Sequence, residues 1–350
     1  MYEGHRAGEV MSLVTMSAVD FACRMPKAEL HVHIEGTLEP DLAFALARRN
    51  GLTLPFRDEE ALRAAKNFTD LQSFLDLYYA CADALRTAED FSDLMLAYLA
   101  RAQADHVVHA EIFFDPQTHT ARGIPLAVVI EGLDAGRREG ERRWGITTRL
   151  ILCFLRHLSE EDALATLKSA EPFLASIDGF GLDSSERDHP PRKFERAFAR
   201  VRALGKPGVA HAGEEGPPSY ISEALDLLKA VRIDHGVRAV EDPRVLRRLA
   251  AEGVALTVCP LSNVRLCVYP TMADHVLPQL LEAGVKVTVN SDDPAYFGGY
   301  MNGNIQALQA AFDFDIPTWA LLGRNSIEAS WAAPADKKRW LLALDDLLRS

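Results

Sequence analysis

Eight short apolar runs, most of them closing on a polar or metal-ligating side chain, constrain this chain more than any other feature. They occupy residues 29–33, 107–114, 148–154, 178–183, 208–211, 231–235, 255–259 and 285–290. Helix-like segments lie between them. Residues 221–230 are amphipathic, residues 243–252 open on Pro243 and are followed by Gly253, and residues 275–283 are closed by Gly284. Strand, helix, strand at this cadence predicts parallel pairing through right-handed crossovers. Eight such units predict an α/β chain folded as a (β/α)8 TIM barrel, with a doubly wound open sheet as the alternative.

The remaining length is organised around that barrel. Residues 1–24 read as a loosely ordered N-terminal extension and residues 25–350 as a single (β/α)8 domain. The connection after the first strand, about residues 36–105, predicts a helical insert, with helical periodicity at 71–85 and 91–104. An insert there sits on the C-terminal face of the barrel, where it can cover a site as a lid or serve only as packing. Residues 337–348 place Trp340, Leu341, Leu344, Leu347 and Leu348 on one helical face, which predicts a docking helix.

Composition narrows the partners. Fifty acidic against 38 basic residues give a formal net charge of −12. A chain so acidic repels phosphate backbones, so no nucleic-acid partner is expected. No apolar run of about 18 residues is present to span a bilayer, so no membrane partner is expected either. The segment 11–23 lacks the marks of a signal peptide. Five cysteines at irregular spacing, without a CxxC pair, predict a reduced cytoplasmic protein with structural thiols. The sequence leaves a homo-oligomer open.

The chemistry lies at the strand ends. His31 and His33 stand two apart on the first strand, so they share a face. His211 ends the fifth strand, His235 the sixth, and Asp292 and Asp293 follow the eighth. A barrel gathers all these ends at one face, and that convergence predicts a metal site. Imidazoles with a carboxylate and no thiolate suit a catalytic zinc ion with an open position for water, one Zn2+ per subunit. Such an ion lowers the pKa of the water it holds to about 7. Glu214, three residues past His211 across a glycine turn, is placed to donate a proton near whatever binds there.

Several segments resemble the motifs of the adenosine and adenine deaminase family. They are Met25-Pro-Lys-Ala-Glu-Leu-His-Val-His-Ile-Glu-Gly-Thr37, His211-Ala-Gly-Glu214, Asp234-His-Gly236, Cys259-Pro-Leu-Ser-Asn263 and Asn290-Ser-Asp-Asp-Pro294. They come in the family's order and spacing and cover roughly residues 25 to 330. The resemblance implies that His31, His33, His211 and Asp292 are the zinc ligands. It implies that Glu214 protonates purine N1, that His235 orients and helps deprotonate the zinc-bound water, and that Asp293 contacts N7. The attack falls on C6 and releases ammonia, a reaction the resemblance sets in purine salvage.

Three positions lean towards a small free purine base rather than a nucleoside. The nucleoside branch carries an aspartate where this chain has Glu35, one methylene longer, which is expected to intrude where the sugar would sit. Gly181-Leu-Asp-Ser-Ser-Glu186 departs from the nucleoside branch, whose glycine, with its N–H on purine N3, matches Ser184. The Leu261 position resembles the base-specific branch. Adenine going to hypoxanthine is the implied reaction, with Ser184 and Glu186 as the residues that hold the imidazole edge. Ser184 and Ser185 have a helix-capping reading beside this one. Adenosine or an N6-substituted adenine on the same site is the near alternative. A non-catalytic barrel stabilised by zinc, or a two-metal amide hydrolase, is the more distant one. The fourth strand ends in Asp183 and Ser184, which offers no bridging lysine or glutamate for two metals.

Overall fold

The computed structural model describes residues 16–349. Its strands are β1 (Lys27–His33), β2 (Val107–Phe114), β3 (Thr147–Leu155), β4 (Gly179–Asp183), β5 (Ala210–Ala212), β6 (Ile233–His235), β7 (Ala255–Val258) and β8 (Lys286–Val289). All ladders are parallel and run in chain order, β1 to β4 and β5 to β8. Two bridges close the ring, Phe180 with Gly208 and Val32 with Asp292. The first is secured by Val209 N–H donating to Phe180 O (2.9 Å), the second by His33 N–H donating to Asp292 O (2.9 Å). The sheet therefore has no free edge, and the doubly wound alternative falls away.

The strands are apolar on both faces because helices cover the outside and side chains fill the inside. β3, which reads Thr-Thr-Arg-Leu-Ile-Leu-Cys-Phe-Leu, is buried over its last six residues. Phe113, Ile151, Cys153 and Val209 pack together as an inner cluster. A buried ion pair, Arg232 Nη1 to Glu111 Oε2 at 2.6 Å, lies nearby, with the guanidinium over the Trp331 ring. The barrel is thus filled rather than open, and a site can form only at its mouth.

The connection after β1 divides differently from the expected insert. The helix Ala88–Ala104 is an ordinary outer-layer helix packed against Leu126–Trp144. Gly132, Gly136 and Gly140 allow the close approach, since a Cβ at Gly132 would stand 2.3 Å from Ala88 O. The true addition is the stretch before it, with helices Pro40–Arg49, Glu59–Ala64 and Leu71–Ala82. The extension expected through residue 24 also differs. Residues 1–15 lie outside the described residues, but Ala18–Arg24 is a helix capped by Ser17, with Phe21 and Ala22 buried. Phe21 brings enough apolar area to dock it. The segment expected as one helix at 221–230 is Pro218–Glu223 running into a π-helical turn, Ala224–Leu228. The last helix is Pro334–Arg349; Trp340 and Leu344 dock, while Leu348 stays exposed. Among the described residues no helix is long and apolar enough to cross a membrane. All five cysteines are free.

Candidate active site

At the C-terminal mouth, β1, β5 and the turn after β8 bring the side chains of His31, His33, His211 and Asp292 beside one another. His31 Nε2 lies 3.2 Å from Asp292 Oδ1, and His33 Nε2 lies 3.4 Å from the same oxygen. His33 Nε2 and His211 Nε2 face each other at 3.2 Å. Four ligands around a tetrahedral zinc ion stand about 3.4 Å apart. The site fits a metal ion on chemistry as well as spacing. His31 Nε2 is buried without a hydrogen-bond partner. Its tautomer is set from behind: Thr257 Oγ1 donates to Asp234 Oδ1 (2.9 Å), so Thr257 must accept from His31 Nδ1–H (2.9 Å). That leaves the Nε2 lone pair aimed into the cluster.

Electrostatics keep the donors ready. Burial, followed by the neighbouring His31, pushes His211 well below the ordinary imidazole range, and burial lowers His33. Burial opposes ionisation of Asp292, but the imidazoles around it, His31 first, outweigh burial and hold it well below the usual carboxylate range. Neutral imidazoles and an ionised carboxylate are the forms that bind a metal.

His235 is close enough to join the cluster, and His31, His211, His235 and Asp292 together form a group that could hold a metal. Its hydrogen bonds argue otherwise. Leu277 N–H donates to His275 Nδ1 (3.1 Å), so His275 Nε2–H donates to Asn263 Oδ1 (3.2 Å). The Asn263 amide then points its Nδ2 at Glu214 Oε1 (3.2 Å) and His235 Nδ1 (3.4 Å). An amide nitrogen only donates, so His235 carries its proton on Nε2, which faces Glu214 Oε2 at 3.5 Å and Asp292 Oδ2 at 3.7 Å. His235 is thereby a donor at the site, with burial holding its pKa down to about 3.

Glu214 and Asp293 flank the cluster. Burial, then the Asp292 charge, raises both well above the usual carboxylate range, which favours their protonated forms. Gly36 makes room for Asp293, since a Cβ there would fall 1.9 Å from Asp293 Oδ1. Glu186 was expected to hold the imidazole edge of the base, and the structure turns its carboxylate to backbone amides instead. Its Oε2 accepts from Gly213 N (3.0 Å) and Gly216 N (3.1 Å), and its Oε1 accepts from Glu214 N (2.9 Å). Both oxygens are taken up in holding the turn that carries Glu214. Gly213 sits at φ 75°, and a Cβ on Gly216 would collide with Glu186.

The cluster lines a narrow cavity at the barrel mouth. Leu71, Phe74, Leu75, Tyr78 and Tyr79 form one wall, all from the helix Leu71–Ala82. Phe74 packs on Phe297 (4.8 Å between rings), which joins this helix to the turn after β8. Asp115, Asp183 and Ser184 continue the lining beside the tyrosines, with the Tyr78 hydroxyl donating to Asp115 Oδ2 (3.1 Å). Ser184 lines the cavity as expected, at φ 71°, a conformation that glycine adopts freely and serine only with strain. Its Oγ meets His157 Nδ1 at 2.9 Å. Ser185 caps no helix; its hydroxyl donates to Glu215 Oε2 (3.2 Å). Glu35 does not reach the cavity. It turns to His119 Nε2 (2.8 Å) and Asp115 N (3.1 Å), so it cannot obstruct a sugar directly. Tyr78, Tyr79, Asp115 and Asn263 carry no signal of their own in the sequence, except that Asn263 stands in the Cys259-Pro-Leu-Ser-Asn263 motif.

The sequence model of the adenosine deaminase family matches residues 26–346. The chain belongs to the adenosine deaminase family. It is 59% identical over 322 residues to an adenine deaminase of Cupriavidus necator, covering 92% of each chain. The crystal structure of an adenine deaminase from Arthrobacter aurescens superposes with a TM-score of 0.92 at 52% identity, covering 93% of this chain and all of that one. A zinc-bound amidohydrolase from Burkholderia ambifaria is similar at 29% identity and a TM-score of 0.87, over 97% of this chain and 96% of that one. This family member thus shares its barrel with enzymes named for the free base and with one that holds zinc.

Proposed function

We propose that this family member is a zinc-dependent adenine deaminase, with one Zn2+ per subunit, that converts adenine and water to hypoxanthine and ammonia. The observation that carries the reading is the gathering of His31, His33, His211 and Asp292 at the barrel mouth, His31 Nε2 and His33 Nε2 on one oxygen of Asp292 and His33 Nε2 on His211 Nε2, with the Glu214 and Asp293 carboxyls beside them. A zinc ion held there supplies the Lewis acid that makes a hydroxide nucleophile available near neutral pH. Adenine deaminases at 59% and 52% identity support the substrate, and the zinc-bound relative supports the metal.

The chain's own groups do the rest. Glu214 donates its proton to N1, which draws electron density from C6 and opens that carbon to addition. Asp293 donates to N7 and fixes the ring plane. His235 Nε2–H, facing Glu214 and Asp292, orients the incoming oxygen. Asn263 holds Glu214 and His235 at a fixed separation. The C6–N6 bond then breaks and the amino group leaves as ammonia with one proton of the attacking water, while the other returns to Glu214 as the C6 carbonyl forms. Asp183 faces His33 Nδ1 at 3.6 Å, the ring edge away from the cluster, which favours a single metal. Five free cysteines favour a reducing, cytoplasmic setting.

The test is a side-by-side turnover assay of the zinc-loaded protein on adenine, adenosine and an N6-alkyladenine, followed by ultraviolet change and ammonia release. Adenine is expected to be turned over fastest. Faster turnover of adenosine overturns the base reading, and retained zinc without turnover of any purine overturns the enzyme reading.

A further inference from the structure

We propose that Asp234 is a positioning residue for the metal site, one buried carboxylate that fixes two ligand imidazoles from behind and so sets the affinity for zinc; this rests on the zinc reading above. Strand pairing puts it there. In the β5–β6 ladder His211 stands opposite Asp234, and in the β6–β7 ladder Asp234 stands opposite Thr257. All three side chains are buried and make one row across the inside of the barrel.

The two oxygens of Asp234 serve different imidazoles. Oδ1 accepts from Thr257 Oγ1 (2.9 Å), and Thr257 in turn accepts from His31 Nδ1–H (2.9 Å). Oδ2 faces His211 Nδ1 at 3.7 Å, and each of these two atoms is buried with no hydrogen-bond partner. The gap is too short to admit a water, and closing it by about 0.5 Å makes a hydrogen bond. An acceptor facing a ring nitrogen assigns the hydrogen to that nitrogen. His211 then keeps its Nε2 lone pair, 3.2 Å from His33 Nε2, for the metal. Behind the row, Arg232 Nε lies 3.7 Å from Asp234 Oδ1 and Arg232 Nη2 donates to Leu30 O (3.0 Å), so the row is also tied to the strand that carries His31.

Only a carboxylate serves both rings. Two donors converge on position 234, and an amide there offers one acceptor oxygen and one NH2. With the NH2 on Thr257, the hydroxyl must turn its hydrogen towards His31 Nδ1, which drives the ring proton to Nε2, where the metal belongs. With the NH2 on His211, it meets an N–H. Either way one ligand loses the support that fixes its tautomer and raises its basicity.

The test measures zinc dissociation constants on the full chain by competition with a chelating indicator. Asp234→Asn should weaken zinc binding about 10- to 100-fold. Thr257→Val removes one arm and should weaken it about 10-fold, and Thr257→Ser, which keeps the hydroxyl, should restore it. Adding Asp234→Asn to Thr257→Val should weaken binding further, because the His211 arm is still in place; no further loss overturns the claim on His211. A merely structural role would lower the denaturation midpoint of the metal-free protein and leave the zinc dissociation constant unchanged, and that result in folded Asp234→Asn overturns the proposal while leaving the zinc reading intact. Imidazole nitrogen NMR spectra of the zinc-loaded wild type need no variant to fold. They should show the ring protons of His31 and His211 on Nδ1, and a proton on Nε2 of either ring overturns the proposal. A wild type that binds no zinc removes both this proposal and the reading it rests on.

Discussion

The two ends of the barrel bury polar groups in opposite ways. At the N-terminal end, Lys27 is almost wholly buried and fully paired: its Nζ donates to Cys23 O (2.9 Å), Asp105 O (2.5 Å) and Asn302 Oδ1 (3.3 Å). At the C-terminal end, His31 Nε2 is buried without a hydrogen-bond partner, and buried carboxyls crowd one another, Asp115 against Asp183 and Asp292 against Asp293. Ser184, His235 and Asp292, each at the exit of a strand, take left-handed backbone conformations that cost non-glycine residues energy. One end satisfies its polar groups to hold the fold. The other leaves them open for a metal and a ligand, and the rest of the barrel offsets the cost.

That contrast predicts where substitutions act on chemistry and where on stability. The largest effect is expected from Asp292→Ala, which should lose metal on dialysis against a zinc buffer and drop turnover to background; full occupancy measured by atomic emission at low free zinc would remove Asp292 from the ligand set. Next comes Glu214→Gln, which should keep its metal and lose about 10²- to 10⁴-fold in kcat. Its pH profile sharpens the point. Glu214 acts as an acid and its pKa is raised, so wild-type kcat should fall as pH climbs through that pKa. The Gln variant should lack this basic limb, and a surviving limb would assign it to another group.

Glu186→Ala should cost less, about 10- to 100-fold in kcat with metal retained, because it loosens the turn that carries Glu214 without touching the ligand. A rise in KM alone would instead make Glu186 a contact to the base. The smallest change in turnover is expected from Lys27→Met, within about threefold, with a stability loss of about 1–3 kcal/mol from three unpaired acceptors. Burial lowers the Lys27 pKa to about 8 in the folded state, below its unfolded value of 10.5. Between those values the unfolded chain binds more protons, so this group makes stability rise with pH there. Denaturant melts across that window should show the rise in the wild type and lose it in Lys27→Met. A turnover defect in Lys27→Met as deep as that of Glu186→Ala would break the division between the two ends.

The barrel was legible because its strands carry period and punctuation locally: each apolar run ends where its polar residue must leave the core. The gathering of His31, His33, His211 and Asp292 was legible for the same reason, since they sit at strand ends that a closed parallel barrel must bring together. The helix Ala18–Arg24 was missed because seven residues carry little periodicity, and it is docking by Phe21 that orders them.

Sequence by itself therefore determined the architecture and the residues of the floor, because strand direction and closure leave them one place to meet. Only the tertiary structure decided what Glu35, Glu186, Asn263 and Asp234 do. Each is a polar residue whose role depends on which donor or acceptor reaches it from another part of the chain: His119 for Glu35, the Gly213 and Gly216 amides for Glu186, His275 for Asn263 and Thr257 for Asp234. A carboxylate's sequence position fixes its charge and reach. Its hydrogen-bond partners fix whether it faces the substrate or supports the residue that does.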